Sequence, residues 1–158
     1  MPILETRSEH WPDEAACAAS AAALARHAGL FDAYVELHGP LGAGKTTFAR
    51  HLLHALGIEG RIKSPTYTVL EPYELMRGGR VQSVAHFDFY RFDDPQEWED
   101  AGFRDVFATP GLKLAEWPEK AEALLPEPDL SIRIEPLSGD ARQVRFDARS
   151  PLGQGLLR

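Results

Sequence analysis

The chain has a single cysteine, Cys17, among 158 residues. An internal disulfide is therefore excluded, and a reducing compartment, the cytoplasm, is the expected location. Long apolar runs are also missing. No stretch approaches the ~20 residues that cross a bilayer, and the opening Met1-Pro2-Ile3-Leu4-Glu5-Thr6 has no signal-peptide pattern, so no membrane contact is expected. Clustered positive charge is a third absence. The net charge is −7, and the 17 Lys and Arg residues are scattered among 24 Asp and Glu. Phosphate neutralisation supplies most nucleic-acid affinity, so this chain is expected to meet RNA through a partner. Zinc-ligand spacing is missing too: His51 and His54 lie three apart with no cysteine or third histidine to complete a set. No repeat and no long linker divides the chain, which at this size has room for one core.

What is present is concentrated in residues 39 to 46, Gly-Pro-Leu-Gly-Ala-Gly-Lys-Thr. They fit the phosphate-binding pattern G-x-x-x-x-G-K-[ST] at every specified position. Glycines let the backbone wrap close to a triphosphate with N–H groups pointing at its anionic oxygens. In that role Lys45 reaches the β- and γ-phosphates, the Thr46 hydroxyl holds magnesium, and the next helix aims its positive end at the same charge. The flanks agree. Ala33 to His38 alternates like a strand, and Phe48, Leu52 and Leu56 follow at helical spacing up to Gly57.

Elsewhere, residues 13 to 28 are alanine-rich between Pro12 and Gly29 and predict a helix. Residues 61 to 70 are β-prone but broken by Pro65, which suits an edge strand or a loop. Gly78-Gly79 predicts a turn into a strand over 80 to 89, the acidic and aromatic 92 to 108 predicts short helices at best, and 112 to 115 predicts a strand. Pro118 opens a short helix to Leu125. Residues 130–134 and 143–147 alternate around Ser138-Gly139-Asp140 and predict a terminal antiparallel hairpin. The expected domain is 1–148, with 149–158 as a disordered tail.

A site that hydrolyses a nucleotide needs a carboxylate for magnesium and a group that places water. Asp88 and Glu116 each end a predicted strand, where ligands bind in parallel sheets. Thr66, about twenty residues beyond Lys45, stands where switch-type hydrolases sense the γ-phosphate. His51, His54 and Cys17 have no such context and are expected to be surface or packing residues.

Taken together, Gly39 to Thr47, Ser64-Pro65-Thr66-Tyr67-Thr68, His86-Phe87-Asp88-Phe89-Tyr90-Arg91 and Glu116-Trp117 resemble the TsaE (YjeE) family, the small bacterial ATPase required for threonylcarbamoyladenosine modification of tRNA. The four blocks run in order through nearly the whole chain. The resemblance implies an α/β fold of the P-loop NTPase type: a single domain, a central mostly parallel sheet with helices on both faces, and the C-terminal hairpin. It implies ATP and Mg2+ as cofactors, phosphate binding by Gly42, Ala43, Gly44, Lys45, Thr46 and Thr47, and approach of Arg142 to the nucleotide. Magnesium contact falls to Thr46 and Glu116. Lys45, Thr66 as a switch and Asp88 beside the attacking water form the catalytic set. The implied partners are TsaD and TsaB, with tRNA reached only through them, and the isolated chain is expected to be a monomer. Position 40 is proline where family members often carry Asp or Asn, which removes one N–H from the start of the loop.

Two other classes fit the phosphate loop alone. A nucleotide or metabolite kinase would place arginines in a lid, and no Arg-rich segment follows this loop. A regulatory switch of the small-GTPase kind would read guanine through N-K-x-D, which is absent.

Overall fold

A computed structural model describes residues 2–59 and 69–158. Among these described residues seven strands form one sheet: β1 (Glu5–Trp11), β2 (Tyr34–His38), β3 (Leu70–Arg77), β4 (Arg80–Asp88), β5 (Leu112–Glu116), β6 (Leu130–Pro136) and β7 (Arg142–Ala148). The spatial order is β1-β7-β6-β2-β5-β4-β3. Five helices accompany them: α1 (Glu14–Ala25), α2 (Lys45–Ala55), α3 (Pro95–Asp100), α4 (Phe103–Ala108) and α5 (Pro151–Leu156).

The sheet is mixed rather than mostly parallel. Its centre, β6-β2-β5-β4, is parallel, whereas β3 pairs antiparallel with β4, and β7 with both β6 and β1. The physical reason is the connections: tight turns at Gly78-Gly79 and around Gly139 can join only antiparallel neighbours. Alternation along the strands separates two apolar clusters. Val35, Leu37, Leu114 and Ile132 pack with Phe48 and Leu52 of α2 and with Ala21 and Leu24 of α1. Tyr34, Phe87, Phe89 and Ala115 face the other way and pack with Trp98 and Phe103 of α3 and α4. Helices thus cover both faces.

Several elements depart from the sequence reading, β3 among them, since no strand was expected over 71–77. β1 was not expected, because the partly covered face of Glu5–Trp11 carries charges at Glu5, Arg7 and Glu9 and an apolar side chain only at Trp11. Those charges are paired: Glu9 accepts from Trp11 Nε1 (3.0 Å) and Ser20 Oγ (2.8 Å), and Arg7 bonds Glu9 (3.1 Å). Inward charges of this kind also guard a sheet edge. The expected disordered tail, 149–158, is instead α5, with Leu156 and Leu157 buried. Ser150 caps it by accepting from Gly153 N–H (3.0 Å) and donates to Asp129 (2.7 Å). Its two glycines hide the helix from propensity, yet a Cβ at Gly153 would stand 1.9 Å from the Asp129 carbonyl oxygen, so close approach to the sheet requires glycine there. α1 ends at Ala25, short of residue 28, and a 3-10 turn over Ala28–Asp32 completes the path to β2. Pro118 opens a 3-10 turn that ends at Ala121. Residues 61 to 68 of the predicted stretch 61–70 lie outside the described residues; β3 begins at Leu70.

Candidate functional site

The carboxyl ends of β2, β4 and β5 meet at one edge of the parallel centre, where Leu37 pairs with Glu116 and Asp88 with Glu116. β2 runs directly into the glycine loop. Gly39 lies against β6: a Cβ there would be 2.4 Å from the Ile134 carbonyl oxygen. Gly44 holds φ +107 as the residue before α2, a backbone state that side chains resist. No side chain caps this helix, so the N–H groups of its first turn have no intrahelical or capping acceptor. With the helix dipole behind them they form a seat for an anion.

Lys45 is buried at 5% exposure. Its ammonium donates to the carbonyls of Gly39 and, at 3.4 Å, Pro40, and stands 3.6 Å from the centre of the Trp117 ring. Burial pulls its proton affinity down, while the carboxylates of Glu116, Glu119 and Asp88 push it back up. Trp117 holds φ 55, the single non-glycine residue with positive φ among the described residues, and its ring packs 4.9 Å from that of Tyr90. The face of the Trp117 ring is thus a partner for the Lys45 charge.

Thr46 Oγ1 donates to Glu116 Oε1 at 2.7 Å, so two side chains seventy residues apart share one point beneath the loop. Glu116 is 1% exposed, and its second oxygen accepts from His86 Nε2 at 2.7 Å. His86 lay in the H-x-D-x-Y-R block without an assigned role. The signal available in sequence was its period-2 relation to Asp88, which places both on one side of β4. Asp88 stands across the ladder from Glu116 and accepts from Tyr90 N–H (3.0 Å). Burial raises its carboxyl above the ordinary range, against the lowering effect of that hydrogen bond. Arg142 also reaches the loop: Nε donates to the Ala43 carbonyl at 2.7 Å.

A cavity of about 210 Å³ opens beside Gly44 and Thr47, walled by Trp11, Asp13, Cys17 and Arg142. The Cys17 thiol is pushed up to about 12 by burial and is inert there. A larger polar hollow of about 400 Å³, between Glu36, His38, Arg133 and Glu119, does not include the glycine loop. His51 pairs with Glu14 of α1 at 3.0 Å, and His54 is exposed, in keeping with their expected surface role. Thr66 lies outside the described residues.

Comparison with known proteins gives this arrangement a family. A profile described as threonylcarbamoyl adenosine biosynthesis protein TsaE matches residues 11–144. The chain belongs to the TsaE family. One relative in the family, the tRNA threonylcarbamoyladenosine biosynthesis protein TsaE of Haemophilus influenzae, is 43% identical over 123 residues, covering 78% of this chain and 75% of that protein. The Bacillus subtilis protein of the same name is 38% identical over 114 residues, 72% of this chain and 68% of its own length. A crystal structure of Bacillus subtilis YdiB superposes with a TM-score of 0.76 at 26% identity, over 99% of this chain and 95% of that one. Among the described residues no helix is long and apolar enough to cross a membrane.

Proposed function

We propose that the chain is a P-loop ATPase that serves threonylcarbamoyladenosine modification of tRNA together with TsaD and TsaB, with ATP binding and hydrolysis driving or resetting their assembly. The observation that carries this reading is the convergence of Thr46 and Glu116 at 2.7 Å beneath an uncapped helix start that also presents Lys45. The backbone N–H groups from Gly42 to Thr47 would take the phosphates, and Lys45 would exchange its carbonyl partners for β- and γ-phosphoryl oxygens. The cavity between Trp11 and Arg142, which borders Gly44 and Thr47, would take the rest of the nucleotide.

The donor set fits magnesium. Thr46 and Glu116 offer a hydroxyl and a carboxylate, all oxygen, and Mg2+ keeps most of its waters, so one carboxylate and one hydroxyl suffice. When bound, the ion supplies neutralisation of charge on the phosphoryl oxygens. Asp88, with its raised proton affinity, would orient the attacking water and hold a proton from it. Thr66 would sense the γ-phosphate, as the family resemblance implies. The net charge of −7 agrees with tRNA being held by the partners.

The test is capture of purified TsaD–TsaB on immobilised chain in the presence of ATP, ADP or no nucleotide, with released phosphate measured alongside. ATP-dependent capture and phosphate release are expected. Capture indifferent to nucleotide, with no phosphate released, would overturn the proposal.

A further inference from the structure

The alternation of β4 sends Val84, His86 and Asp88 to the side covered by α2, and Ala85, Phe87 and Phe89 to the other. His86 is fully buried there, with neighbours such as Val84 and Leu114 that are apolar and equally buried. Its Nδ1 has no hydrogen-bond partner among the described residues. A ring nitrogen left without a partner makes histidine a poor choice for packing alone, because an apolar side chain would fill the place without that penalty. What the imidazole does make is one directional contact, Nε2–H to Glu116 Oε2 at 2.7 Å. Glu116 Oε1 meanwhile faces Thr46. A carboxylate held at one oxygen can swing about its last torsion; held at both, it presents a fixed oxygen to whatever sits at Thr46.

We propose that His86 is a positioning residue for cation binding: its Nε2–H fixes Glu116 so that Oε1 stays turned toward Thr46. The inference rests on the reading of Thr46 and Glu116 as the magnesium site. His86 touches neither nucleotide nor ion and acts through Glu116, as partners behind metal ligands do elsewhere.

The test measures binding rather than turnover. The Kd for ATP of the full chain is determined by titration calorimetry with Mg2+ and with EDTA, and the ratio of the two is the magnesium gain. In His86→Leu, at unchanged Tm, the magnesium gain should fall by about tenfold or more while affinity in EDTA stays at the wild-type value. His86→Gln, whose amide nitrogen lies near the position of Nε2, should recover the gain to within about threefold. A full magnesium gain in His86→Leu would overturn the proposal. If His86→Leu does not fold, His86→Asn replaces it, since its amide is one methylene too short to reach Glu116. A loss in Asn but not in Gln supports positioning, and equal behaviour of the two overturns it. Glu116→Ala separates the two levels. A full gain in Glu116→Ala removes the metal site itself, whereas loss there with a full gain in His86→Leu removes the role of His86 alone.

Discussion

Replacing Lys45 by alanine removes the ammonium that the glycine loop encloses. In the free chain that ammonium is already engaged, with the Gly39 and Pro40 carbonyls and with the face of Trp117 at 3.6 Å. On the proposed function, binding ATP would exchange these contacts for phosphoryl oxygens, so the mutant would lose the difference between the two sets. Two charge-assisted bonds to phosphate are worth about 1.5–3 kcal/mol each. The surrendered carbonyl bonds and ring contact offset about 1–2 kcal/mol of that. The remainder, about 1–5 kcal/mol, corresponds to roughly 5- to 4,000-fold weaker ATP binding. Stability of the free chain should change little, because removing a charge that burial disfavours offsets the lost contacts. Calorimetric titration with Mg2+-ATP reads the affinity, and a melting curve checks the fold. A Kd within about threefold of wild type at unchanged Tm would refute the role assigned to the lysine.

Gly153→Ala places a Cβ 1.9 Å from the Asp129 carbonyl oxygen, so α5 must shift; a Tm drop of about 4–12 °C is expected by calorimetry, and no drop would mean the helix is dispensable. Asp88→Asn tests burial of charge. Because the fold raises this carboxyl above its unfolded value, the native chain holds more protons, and stability falls as pH rises from the ordinary carboxylate range through the raised value. Asparagine keeps an acceptor for Tyr90 N–H and carries no charge, so its Tm should exceed wild type by about 1–3 °C at neutral pH, a figure kept small because the group is partly exposed. The gap should close below about pH 4, and a gap widening toward acid would contradict the sign. Thr66→Ala should slow phosphate release by about tenfold or more with ATP affinity unchanged, and equal losses in both would assign the threonine to binding instead.

Residues 34 to 55 were legible in the sequence because strand, glycine loop and helix are local: alternation, glycine spacing and helical period each act within a few residues. The hairpin of β6 and β7 and the turn between β3 and β4 were legible for the same reason. β1 and α5 were not. The covered face of β1 carries charges paired with Ser20 of α1 and with Arg158 at the C-terminus, and α5 is helical because Ser150 caps it and Gly153 clears the Asp129 backbone. The Glu5–Arg158 pair joins residues 153 apart, and the need for glycine at 153 comes from the Asp129 backbone beside it; no local pattern records either. The same division runs through the candidate site. Sequence by itself marked out the glycine loop, because G-x-x-x-x-G-K-[ST] sets glycine at fixed spacing within a few residues. It also narrowed the acids to Asp88 and Glu116, because strand ends are marked by alternation. The family resemblance already put Thr46 and Glu116 together, and the structure set them 2.7 Å apart; only the tertiary structure decided that Asp88 faces Tyr90 N–H and that His86 holds the second oxygen of Glu116. The order of β2, β5 and β4 in the sheet sets those distances, and sheet order is fixed by packing over the whole chain.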